Sequence, residues 1–110
     1  MAGLVPAIHV LLTSAMARGF VYMMSSKRDG ILYVGVTSDL PKRIFEHRNG
    51  LVAGFTKRYG LKSLVWFEPH DDIRAAIQRE TTTKHWPLAW KVRLIHAMNP
   101  EWRDLYDDLF

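Results

Sequence analysis

Residues 20–37, FVYMMSSKRDGILYVGVT, hold two apolar runs separated by a polar one, and their reading decides the fold. Phe20 to Met24 is apolar throughout, and Ile31 to Thr37 is rich in β-branched and aromatic residues, the types that pack well on a pleated surface. Between them lies Lys27-Arg28-Asp29-Gly30, whose Asp-Gly pair suits a tight turn, so the stretch predicts a β-hairpin. Side chains alternate along a strand. Tyr22 therefore shares a face with Phe20 and Met24, Tyr33 shares one with Gly35 and Thr37, and the two tyrosines can meet across the pair.

Toward the C-terminus, Ser38 or Asp39 offers a helix N-cap, Pro41 suits the first turn, and Asn49-Gly50 supplies a stop. Leu40, Arg43, Ile44 and His47 form one stripe of that helix, mixing core residues with a cation and an imidazole. Leu51 to Thr56 reads as a loop, and Leu64-Val65-Trp66-Phe67 as a third strand ended by Glu68-Pro69. A second helix starts near Asp71 or Asp72, where acids suit the helix dipole. Its inward stripe is Ile73, Ala76 and Ile77, and Glu80 takes the next place on that apolar face. Pro87 breaks the run; Leu88, Val92 and Ile95 then pattern a third helix that ends before Asn99-Pro100, and the tail to Leu109 adds a short helical piece. The expected architecture is an α/β (α+β layered) domain, with a small three-stranded antiparallel sheet packed by helices around Ile44, Ile77 and Ile95.

In the other direction, Leu4 to Met16 is nearly all apolar, and Ala15-Met16-Ala17 looks like a small-residue cleavage site. No Lys or Arg precedes the run, Pro6 and His9 interrupt it, and it is shorter than the roughly 18 residues of a membrane span. Residues 1–18 are therefore read as a dispensable extension, with Met16 an alternative start, and residues 19–110 as the domain. A mature chain starting near Arg18 would instead favour secretion.

A chain of 110 residues has room for one core. With 48% hydrophobic and 24% charged residues, composition excludes disordered, collagen-like and membrane classes. The absence of cysteine excludes disulfide scaffolds, thiol catalysis and cysteine-ligated metal, and a reducing cytoplasm is the expected location. The net charge of +4 is mild but uneven: Lys42, Arg43, Arg48, Lys57, Arg58 and Lys62 face one acid, Glu46, in their stretch. Such a stretch suits an anionic backbone, while Glu101, Asp104, Asp107 and Asp108 gather at the C-terminus.

Phe20-Val21-Tyr22 and Tyr33-Val34-Gly35 stand where the GIY-YIG nuclease family carries its two tripeptides. Arg43 and His47 follow four residues apart on the next helix, and Glu80 on a later one. In that order and spacing the chain resembles the family from about Gly19 to Leu109, closest to the small stand-alone bacterial members. The segments Gly54 to Gly60 and Asn99 to Leu105 are also similar to theirs. The resemblance implies a metal-dependent endonuclease that hydrolyses DNA phosphodiesters, with DNA structures met in repair or recombination as its substrates.

The resemblance also implies a division of labour. Tyr22 is the general base, provided that cations favour its phenolate or that it passes a proton onward, since a free phenol has a pKa of about 10. Tyr33 positions the water or phosphate. Arg43 offers a permanently charged fork for phosphate oxygens, and His47 binds the same phosphate or assists proton transfer. Glu80 holds a single Mg²⁺ or Mn²⁺, with waters and substrate completing the shell. Gly35 and Lys42 lie along the nucleic-acid path, and Lys57, Arg58 and Lys62, interleaved with Phe55 and Tyr59, look like a phosphate-tracking and base-stacking edge.

Each residue also has a plainer reading: a packed tyrosine, a bulge glycine, a Glu80–Lys84 surface pair. Three departures from the family pattern stand beside them. Thr81-Thr82-Thr83 replaces long helix formers and predicts fraying or a bend; Val36 stands where the excision-repair branch often has lysine; and for the site asparagine that the family often has near the end of the domain Asn99 is the only late candidate, which beside Pro100 reads equally as a helix stop. The rival expectation is a binding module of the same fold, or a docking domain with a protein partner in a repair complex. No membrane role is expected.

Overall fold

The structure, a computed structural model, describes residues 17–110. The N-terminal extension expected at residues 1–18 thus lies almost wholly outside the described residues. Strand β1, Gly19–Ser25, pairs antiparallel with β2, Leu32–Thr37, and the predicted hairpin sets Tyr22 opposite Gly35 and Met24 opposite Tyr33. The tyrosines are therefore diagonal neighbours on one face, with ring centroids 6.3 Å apart.

Strand β3, Ser63–His70, pairs antiparallel with the other edge of β1, giving the order β2-β1-β3. It outruns the stop expected at Glu68-Pro69: Pro69 stands opposite Phe20 and His70 opposite Gly19. An edge strand has one row of backbone groups with no ladder partner, so the missing N–H of a proline is tolerated there.

All seven residues of β1 are buried, because the central strand has a core on each face. Phe20, Tyr22 and Met24 pack with Leu40, Ile44, Leu61, Leu64, Phe67, Leu105 and Leu109. Val21 and Met23 pack on the other side with Val65, Trp66, Ala76, Ile95 and Trp102. Side chains of this size contribute about 1.5–3 kcal/mol each on full burial.

Helix α1, Leu40–Arg48, has its N-cap at Asp39, whose carboxylate accepts from Lys42 N at 3.3 Å. Leu40, Ile44 and His47 of its stripe are buried. The expected loop holds for residues 51–54, and its last two residues instead open a one-turn helix α2, Phe55–Tyr59, closed by Gly60 in the left-handed conformation. Five residues are too few for a 3.6-residue period to show, and the closing glycine is the only local sign of this helix.

Helix α3, Ile73–Lys84, is capped by Asp72 and runs without interruption through Thr81–Thr83. The fraying predicted there does not occur, because Thr83 is completely buried and packing outweighs the small propensity cost. Ile77 is not a core residue; it is 48% exposed, and the inward stripe runs through Ala76 to Thr83. The reason is a close approach to β1: a Cβ on Gly19 would stand 2.9 Å from Ala76 Cβ. Small residues meet at that crossing, and Ile77 is turned outward.

Helix α4, Leu88–Met98, follows Pro87, with Ile95 buried and Leu88 exposed. Asn99 caps its end and is wholly committed to structure. Its Nδ2 donates to Val65 O at 3.1 Å and Arg103 O at 2.7 Å, while its Oδ1 accepts from Arg103 N at 3.1 Å. The tail closes the first core through Leu105 and the 3₁₀ turn Tyr106–Leu109, and Asp104 ties it to Arg48 of α1. No helix among the described residues is long and apolar enough to cross a membrane.

Candidate active site

The hairpin and α1 bring three rings together. Tyr22 Oη and His47 Nε2 are 2.8 Å apart, and the His47 ring lies with its centroid 5.6 Å from each of the two tyrosine rings. Gly35 makes this possible: a Cβ there would fall 2.5 Å from Tyr22 Cζ and Oη and 2.8 Å from Tyr33 Cε2. The missing side chain is occupied by the tyrosines themselves, which is a packing reason for a glycine expected beside the nucleic acid.

Burial dominates the electrostatics of this pair. Desolvation pushes the Tyr22 phenol well above its ordinary value of about 10, and Tyr33 adds to the rise; the charge and hydrogen-bonding of Arg43 oppose it, and the Glu80 charge adds a smaller increment. Cation proximity therefore does not yield the phenolate that one form of the sequence expectation required. His47 is pushed down from 6.5 to about 4, chiefly by burial and then by the Arg43 charge, against a weak opposing pull from Glu46. At neutral pH it is a neutral imidazole, with one nitrogen donating and the other accepting.

The second nitrogen has a partner that sequence reasoning missed. Thr56, buried on α2, places Oγ1 2.9 Å from His47 Nδ1. A protonated phenol donates, so the consistent arrangement has Tyr22 Oη–H donating to Nε2 and Nδ1–H donating to Thr56 Oγ1. Both imidazole nitrogens are occupied, which leaves neither free for a phosphate. The one signal for Thr56 in the sequence is its place inside the Phe55-Thr56-Lys57-Arg58-Tyr59 segment, next to side chains read as a surface edge.

Arg43 is partly exposed, with its Nη1 3.6 Å from Glu46 Oε1, a loose contact that leaves the fork open to other anions. Glu80 is largely enclosed, its side chain 14% exposed, and Lys84 Nζ stands 3.2 Å from Oε1. That contact lacks hydrogen-bond geometry, so Oε1 is a buried acceptor without a hydrogen-bond partner. No cluster of three or more His, Asp or Glu side chains suited to a metal occurs among the described residues. An under-satisfied carboxylate oxygen is the kind of hard donor that Mg²⁺ or Mn²⁺ takes, and Glu80 fits that role as one protein ligand.

The basic residues divide among separate surfaces. Lys42 lines a cleft with Arg43 and Glu46 beside the start of α1. Lys57 and Arg58 lie on α2 with Phe55 and Tyr59, whereas Lys62 faces a different cleft with Arg48, Asp104 and Tyr106. A groove runs along α2, beside the three-ring cluster and not over it. Two further histidines have structural settings: His70 contacts Glu68 at 2.8 Å, and His96 packs edge-on against Trp102.

Residues 18–93 match the GIY-YIG catalytic domain family. The chain is 36% identical over 80 residues to a UPF0213 protein of Staphylococcus saprophyticus, covering 73% of this chain and 96% of that one. It is 40% identical over 78 residues to a UPF0213 protein of Clostridium perfringens, covering 71% and 83%. No solved structure matches it at a significant level. The chain belongs to the GIY-YIG family, a catalytic domain of nuclease type.

Proposed function

We propose that the protein is a metal-dependent endonuclease that hydrolyses DNA phosphodiester bonds. The observation that carries this reading is the buried 2.8 Å pairing of Tyr22 Oη with His47 Nε2, beside Arg43 and Glu80. Purely structural packing has little need of a dry phenol–imidazole pair next to an open guanidinium and an under-satisfied carboxylate. The family match supports the same chemistry.

Water attacks phosphorus in line: an O–P bond forms, the P–O bond to the leaving strand breaks, and the water proton must go somewhere. Tyr22 takes that proton on Oη while its own passes to His47 Nε2, so a phenol that stays protonated at rest still serves as a base. The imidazolium formed keeps its Nδ1–H on Thr56 and returns a proton to solvent or the leaving oxygen. Tyr33 packs against the imidazole and, from the same face, orients the water or phosphate. Arg43 binds phosphate oxygens with its planar fork and neutralises charge as it builds. A divalent ion, when held by Glu80, supplies further charge neutralisation at phosphorus.

Lys42, Lys57, Arg58 and Lys62 guide the strand, and Gly35 keeps the space that the phenol fills. With little surface outside the site, selection of substrate rests on DNA structure more than on a long sequence, as suits repair or recombination in the cytoplasm, alone or with a protein partner. The binding-module alternative drew on the altered Thr81–Thr83 segment, and α3 is regular there.

The test is cleavage of supercoiled plasmid, single-stranded DNA and branched DNA with Mg²⁺ or Mn²⁺, comparing the parent with Glu80→Ala and Arg43→Ala. Cutting by the parent alone supports the nuclease and its site together. Cutting that survives both substitutions, or binding without cutting, overturns it.

A further inference from the structure

Helix α2 leaves Phe55 and Tyr59 nearly half exposed, with their ring centroids 4.9 Å apart. Phe55 also stacks on Tyr33, at 6.4 Å with the ring planes 24° apart, and Tyr33 reaches His47. A continuous row of rings thus leads from the Tyr22–His47 pair out to solvent. Core packing accounts for the inner end of this row but not for the outer one, where two adjacent aromatic faces are left in water.

A groove of about 720 Å³ opens along that outer end, lined by Ala53, Gly54, Phe55, Lys57, Arg58 and Tyr59. The Arg58 guanidinium lies 5.5 Å from the Tyr59 ring centroid. Neither Lys57 nor Arg58 forms an ion pair among the described residues. The groove therefore combines flat apolar surface with uncompensated positive charge, which calls for a ligand that is both aromatic and anionic.

We infer that Phe55 and Tyr59 form a stacking platform for unpaired nucleotides, so that the DNA enters this site as a single strand or an unpaired end. The inference rests on the nuclease reading of the neighbouring residues. Within a continuous duplex each base has its faces covered by its neighbours, and only an unpaired base offers a face to a side-chain ring. Lys57 and Arg58 meet the phosphates between successive bases, and the row delivers the strand toward Tyr33 and Arg43.

The experiment measures binding in EDTA, where no strand is cut. Its probes are a short single strand carrying 2-aminopurine, a duplex with an unpaired overhang, and a blunt duplex. The intact protein is expected to bind the first two about tenfold tighter than the third and to quench the 2-aminopurine on stacking. Phe55→Ala and Tyr59→Ala each weaken single-strand binding about tenfold and diminish the quench, whereas Phe55→Tyr and Tyr59→Phe preserve both. Both positions are exposed, and unchanged circular dichroism separates lost stacking from lost fold. Equal affinity for strand and blunt duplex, or a quench that survives both alanine substitutions, overturns the platform. Cleavage with Mg²⁺ is scored separately: cutting without stacking removes the platform and keeps the nuclease, and stacking without cutting keeps the platform and removes the nuclease.

Discussion

Thr56 Oγ1 stands 2.9 Å from His47 Nδ1, so a one-turn helix outside the main layers holds the imidazole that faces Tyr22. The hydrogen bond on one nitrogen of a neutral histidine decides what the other can do. Thr56→Val keeps the shape and removes the acceptor. It is expected to lower kcat by about tenfold to a hundredfold with KM unchanged, within the range that positioned proton transfer supplies. Thr56→Ser should restore most of the rate; a serine variant as slow as the valine one would mean that the methyl packing matters instead of the hydroxyl.

His47 makes stability depend on pH in a defined direction. Its folded pKa of about 4 lies below the unfolded value of 6.5, so between those limits the unfolded chain binds more protons. Its contribution is fully present above pH 6.5 and is lost as pH falls toward 4, by up to on the order of 3 kcal/mol. Urea titrations across that window should give a falling midpoint in the parent and a flatter profile in His47→Gln. Parallel profiles would show that the loss comes from other groups.

Gly35→Ala puts a methyl group where the Tyr22 phenol now lies, 2.5 Å from Cζ and Oη. Overpacking of this kind costs about 1–3 kcal/mol, and here the relief must come from shifting the Tyr22 ring. A lowered thermal midpoint together with loss of at least about tenfold in DNA cleavage is the expected result. An alanine variant with parental stability would contradict the packing reason given for this glycine.

If Glu80 holds the divalent ion as proposed, Lys84 competes with that ion for Oε1, since the ammonium stands 3.2 Å from it. Lys84→Met should therefore lower the Mg²⁺ concentration needed for half-maximal cleavage, by about two- to fivefold for an ion pair of modest strength with an exposed lysine. Glu80→Gln should abolish the metal-dependent rate. A raised Mg²⁺ requirement in Lys84→Met would assign the lysine to the substrate and not to the carboxylate.

The hairpin, the capped helix at Leu40–Arg48 and the sharing of one helix stripe by Leu40, Ile44 and His47 were legible in the sequence because each rests on a local period or a turn residue. The outward turn of Ile77 was not, since it depends on how closely Ala76 approaches Gly19 across more than fifty intervening residues. Asn99 read equally as a helix stop or a site residue until its three backbone partners were located. Burial set the direction of the Tyr22 shift, and burial is a property of the assembled layers, not of neighbours along the chain. The same holds for Thr56, whose partner is nine residues away on another helix.

Strand β1 has a ladder on both edges and a core on both faces. Helix α2, five residues long, has neither. Local opening draws on segments with few buried contacts, while a central strand is released only by global unfolding. The two ends of the ring row therefore keep different time. The outer rings can loosen and re-form many times while β1 keeps the Tyr22 phenol in place, and heat should dislodge that phenol abruptly, in step with the collapse of the whole sheet.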